Sequence, residues 1–164
     1  MSGKAIGTNL PIGFRGAVTR TPDTIIAPYT NKGTDDIQFG DVVVFHNGGV
    51  RKIKSGDTAD MIIGIAVRHI AQPYANDADG WYYKPNEAVD VLLRGSIAVQ
   101  LTATTGIAAR GKLYVATGSQ SGEDAGNLYC ATGTGRVQVP NTIIATANFD
   151  ADKIVEVTIL TRAM

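Results

Sequence analysis

The stretch Ile37–His69, IQFGDVVVFHNGGVRKIKSGDTADMIIGIAVRH, decides the fold. A run rich in valine up to Phe45 breaks at Asn47-Gly48-Gly49, and apolar character returns at Val50–Ile53. Asn-Gly tolerates positive φ, so this break predicts a hairpin. A second turn at Ser55-Gly56-Asp57 precedes Met61–Val67, where Gly64 inside the strand predicts a bulge. Strand, glycine turn, strand is the signature of an all-β domain.

The pattern continues outward. Thr24–Tyr29 is β-branched, and Pro28 confines it to an edge or a strand end. Downstream, Ile97, Val99 and Leu101 alternate with Ser96, Ala98 and Gln100. Leu113 with Val115, and Val155 with Val157 and Ile159, alternate in the same way. Period two with one polar face reads as half-buried antiparallel sheet. About nine strand segments emerge, which fits a β-sandwich or barrel. Thr102–Arg110 is the single segment read as a short helix. The expected organisation is an N-terminal arm over residues 1–22 and one β-domain over 23–164.

Composition narrows the function. The chain has 164 residues, with 15 basic and 15 acidic side chains and no net charge. That balance gives no long-range attraction to nucleic acid or an anionic membrane. No apolar run approaches the length needed to span a bilayer, and the N-terminus lacks the apolar core of a secretory signal. Charged residues make up only 18% and glycines number 19, which suits a surface partly covered by partners. The lone Cys130 excludes an intrachain disulfide.

Near-motifs for chemistry fail one by one. Gly106 to Lys112 has phosphate-loop spacing, but Leu113 replaces the magnesium-binding hydroxyl and a strand follows where a helix is required. Gly133-Thr134-Gly135 lacks the third glycine of a dinucleotide site. Asp77-Ala78-Asp79-Gly80 resembles part of a calcium loop, but its first ligand position falls on Ala75 and its twelfth on Asn86. His46 and His69 have no carboxylate or cysteine spaced to complete a zinc site. The expectation is no enzyme, no metal and no cofactor.

Two groups of residues read as contact surfaces. The arm carries Lys4, Arg15 and Arg20 without an acid before Asp23, and presents Leu10, Ile12 and Phe14 as apolar anchors. It is expected to order against a neighbouring subunit, with its cations facing acids such as Asp77, Asp79 and Glu87. The second group is aromatic: Trp81, Tyr82 and Tyr83 are consecutive, with Tyr74 nearby, in an otherwise polar loop. Neighbours on a strand point to opposite sides, so three in a row leave one face for a partner.

In order along the chain, several phrases resemble the structural cement (decoration) proteins of tailed-phage heads. They are Gly13-Phe14-Arg15-Gly16, Ile37 to Val43, Val50-Arg51, Gly56-Asp57-Thr58, Ile63 to Val67, Tyr83 to Gly95 and Gly111 to Val115. The resemblance implies a β-sandwich of jelly-roll type that forms a homotrimer on the outer surface of the virion. There it would bridge copies of the major capsid protein near threefold positions, with no catalytic residues. Competing readings are a tail-tube or head–tail joining protein, and a carbohydrate-binding sandwich displayed on the virion.

Overall fold

A computed structural model describes residues 12–69, 82–118 and 122–161. Twelve strands follow in order: β1 (Val18–Thr30), β2 (Ile37–Gln38), β3 (Val42–His46), β4 (Gly49–Lys52), β5 (Ile62–Ala66) and β6 (Tyr82–Tyr83). Then come β7 (Ala88–Gln100), β8 (Tyr114–Ala116), β9 (Leu128–Tyr129), β10 (Arg136–Gln138), β11 (Thr142–Ile144) and β12 (Ile154–Ile159). A single 3-10 turn, Ala59–Met61, precedes β5. Every ladder between these strands is antiparallel.

β7 is the spine of a seven-stranded sheet. Ile97 pairs with Val18 of β1 on one side and Val157 of β12 on the other. Leu92 pairs with Ile26 of β1 and, opposite, with Ile65 of β5. β1 therefore runs along one edge of β7, while β5 and β12 share the other edge in succession. Gly95 marks the change between the two halves. Its φ is +122°, and alternation slips by one residue there: Leu92 faces the same core as Ile97 and Val99.

Two cores result, one on each face. The larger packs Val42, Val44, Ile65, Leu92, Ile97 and Val157 of the main sheet against Val115 and Leu128 of the small sheet β10-β8-β9 and Leu113 just before β8. The smaller places Val43, Val89, Val91 and Leu93 beneath the ribbon β2-β6, through Ile37, Phe39 and Tyr83. This is an antiparallel β-sandwich, as the alternation predicts; the jelly-roll connection pattern is a finer statement than these pairings make.

Local expectations meet different fates. Asn47 and Gly48 adopt φ of +48° and +76°, and His46 pairs with Gly49, so the predicted hairpin closes with a two-residue loop of type I′. The predicted bulge is present: Val43 pairs with Gly64 but Val44 pairs with Ile62, leaving Ile63 unpaired. The short helix expected over Thr102–Arg110 is absent. Gly106 (φ +81°) and Arg110 (φ +62°) turn the chain there, and the Arg110 N–H bonds the Ile144 carbonyl instead. Residues 18–22, expected to belong to the arm, lie within β1, because Val18 and Arg20 find partners on β7.

Candidate interaction surface and arm root

Residues 13–16, which the sequence assigns to an arm, meet the β-domain through two of the glycine phrases. Gly16 donates its N–H to Ala98 O and accepts from Arg68 N–H, which extends the pairing along β7. A Cβ on Gly16 would lie 2.8 Å from Phe39 Cβ, and one on Gly40 would lie 2.9 Å from Arg15 Cγ. The two phrases are glycine-rich because they press together. Across this contact Arg15 binds Asp41, donates to Gln38 Oε1 at 2.6 Å, and leaves Asp41 Oδ2 to accept the Gln38 N–H. The Asp41 side chain is 1% exposed, and Lys52 Nζ stands 3.6 Å from it.

Arg20 is also paired within the chain. Its guanidinium donates to both oxygens of Glu156, at 2.8 and 3.1 Å, and Thr19 adds a third hydrogen bond. Those hydrogen bonds hold the Glu156 carboxyl below its ordinary range. The expected arm cations Arg15 and Arg20 already have acids within the chain, on residues 26 and 136 positions away. Glu87, expected as one of those acids, accepts the Lys84 N–H at 2.7 Å and stabilises its own turn. Lys4, Leu10, Tyr74, Asp77, Asp79 and Trp81 lie outside the described residues.

The remaining anchors divide. Phe14 is 69% exposed, its ring 4.3 Å from the Arg68 guanidinium, and Ile12 beside it is half-buried. Tyr82 is half-buried with Lys84 over its ring. Tyr83, expected at an interface, belongs to the smaller core: it packs edge-to-face on Phe39 and donates its hydroxyl to Val67 O at 2.5 Å. Burial, and then the negative charge of Asp90, push its phenol upward.

Sequence reasoning missed an apolar rim. Each strand of the ribbon β2-β6 has two residues, so it covers only part of the face above the smaller core. That face continues outward through Ile63 to uncovered side chains. Phe45 shares the side of Val43 and is 50% exposed, and Ile25 and Ile26 of β1 are exposed where the register with β7 shifts. Met61, the last residue of the 3-10 turn before β5, is exposed as well. The signal was available in the 37–69 stretch, where the run ends on an apolar Phe45 at a hairpin tip. Elsewhere, Arg15, Gln100, Thr102, Asn127, Asp152 and Lys153 line an open polar basin of about 430 Å³.

These features define a class: an antiparallel β-sandwich with two cores, several ion pairs and a few exposed apolar side chains. Residues 3–160 match the family model described as structural cement protein (E217 gp24/Pam3 gp6), and the chain belongs to this phage family. It is thereby a structural protein of the virion. Among solved structures, the fold is similar to a chain from the capsid of Myoviridae phage XM1. The TM-score is 0.70 and the identity 18%, with 98% of each chain covered. No curated protein matches significantly.

Proposed function

We propose that this chain is a non-enzymatic cement on the outside of a phage head, bridging neighbouring copies of the major capsid protein near threefold positions as a homotrimer. The observation that carries this reading is the family match over nearly the whole chain. Two structural features support it. The sandwich has two packed cores, and Ile25, Phe45 and Met61 remain exposed on it. A ligand that binds the closed shell more tightly than its parts stabilises the shell, and many copies add avidity.

The arm keeps its role with a narrower charge. With Arg15 and Arg20 paired internally, Lys4, Leu10 and the exposed Phe14 are left to meet a neighbour. Deletion of residues 1–11 leaves the Arg15 contact in place and is expected to weaken trimers or shell binding. The decisive measurement is imaging of purified particles with the protein ratio determined alongside. The reading expects density on the outer shell around threefold positions, in fixed ratio to the capsid protein. Density in the tail or at the head–tail joint, or no protein in the particle, overturns it.

A further inference from the structure

We propose that Asn47–Gly48 is a site of spontaneous deamidation, in which the hairpin tip converts its own backbone with water as the co-reactant. Four observations meet there. Asn47 is the one asparagine in the sequence followed by glycine, so no side chain shields the attacking nitrogen. Both residues are exposed, and a Cβ built on Gly48 meets nothing within 4 Å. Among the described residues, the Gly48 N–H makes no backbone hydrogen bond; the two-residue loop is closed by the His46–Gly49 pair instead. The Asn47 carboxamide is held at the tip by a 3.1 Å hydrogen bond between its Nδ2 and His46 Nε2, not buried or turned into the sheet. By contrast Asn31 is fully buried, its amide bonded to Asp35 O and Gly33 N–H. Asn86, Asn127, Asn141 and Asn148 each precede a residue with a side chain.

The step balances without a further reagent. The Gly48 amide nitrogen, having given its proton to hydroxide, attacks Asn47 Cγ. The new N–Cγ bond forms as Cγ–Nδ2 breaks, and Nδ2 leaves as ammonia with a proton from water. Water then opens the cyclic imide at either carbonyl, leaving aspartate or β-linked isoaspartate, each with a new carboxylate. Isoaspartate routes the main chain through the side-chain methylene, lengthening a loop whose strand register allows only two residues. Gly49, next along, sits where a Cβ would lie 2.3 Å from Thr30 O, so a displaced tip also disturbs the end of β1.

The test uses the full-length folded protein, held at neutral and at mildly alkaline pH. Peptide mass mapping and enzymatic isoaspartate methylation follow each asparagine. Residue 47 is expected to convert ahead of all others, at a rate that rises in proportion to hydroxide. Isoaspartate at the tip is expected to disappear in Asn47→Gly, which keeps the positive φ and the hairpin. Converted molecules should exchange their β3–β4 amide hydrogens faster than unconverted ones. The proposal is overturned if Asn47 stays intact in the folded protein while the urea-unfolded chain converts there, or if another asparagine converts first.

Discussion

Single residues fix this fold through close approach and buried charge. Gly64 leaves a gap that only hydrogen can fill: a Cβ there would lie 2.2 Å from Leu92 O, a backbone atom that cannot move alone. Gly64→Ala is therefore expected to cost about 3 kcal/mol or more by urea denaturation. Gly48→Ala meets no atom and pays only for φ of +76°, about 1 kcal/mol. Equal losses at both positions would refute the steric account. Asp41 poses the other kind of constraint. Removing its guanidinium in Arg15→Ala strands a carboxylate that is 1% exposed. Breaking a buried pair costs about 3–5 kcal/mol, and partial exposure of Arg15 together with nearby Lys52 reduces this to about 2 kcal/mol. Arg15→Met with Asp41→Leu should recover part of that loss, short of the hydrogen bond from the Gln38 N–H; a double variant no more stable than Arg15→Ala would count against charge as the constraint.

At the scale of elements, the sequence was most legible where local chemistry alone decides the backbone. Asn47-Gly48 names its own turn, and Gly64 names its own bulge, because each constraint lies within a few residues. The slip at Gly95 was not legible, since Leu92 and Leu93 are both buried, one in each core, and alternation cannot say which face is which. The consecutive tyrosines misled for a related reason. An aromatic pair in a polar loop looks like a contact surface, but β6 pairs with β2 and turns Tyr83 inward over the smaller core. Tyr83→Phe keeps the ring and removes the hydrogen bond to Val67 O, for an expected loss of about 1–2 kcal/mol in thermal or urea unfolding. The raised phenol carries a pH consequence. The folded state keeps its proton where an unfolded tyrosine has lost it, so this stabilisation is full below about pH 10 and declines above that value. A wild-type stability that stays as flat above pH 10 as that of Tyr83→Phe would count against the buried hydroxyl.

Across the whole molecule, charge pairs near and far in sequence add to the two cores, and a neutral composition does not reveal them. Net charge is zero, but the pairing is not diffuse. Arg20 binds Glu156 and Arg136 binds Glu123, while Arg51 binds Asp57 in a two-pronged contact at 2.6 and 2.7 Å. Lys54 binds Asp35 at the surface. Hydrogen bonds from these cations hold Glu156, Glu123 and Asp35 below their ordinary values; burial pushes Asp57 up, and the Arg51 and Lys54 N–H bonds more than offset it. A depressed carboxylate stabilises the fold fully above its unfolded value and loses that contribution as pH falls through its lower folded value. Stability should thus change little with pH between about 5 and 8, then fall progressively below about pH 4, where unfolded carboxylates begin to take protons. The pairs at Glu156, Glu123 and Asp35 are exposed enough for salt to weaken them, so added salt should flatten their share of the decline. Asp57, only 7% exposed and gripped by two cationic donors and a backbone N–H, should retain its share. Urea unfolding from pH 7 to pH 3, at low and high salt, measures both parts. Asp57→Asn is expected to lower stability at neutral pH and to shrink the acid-dependent loss that salt does not remove. An unchanged acid profile in that variant would show that the acid sensitivity arises elsewhere in the chain.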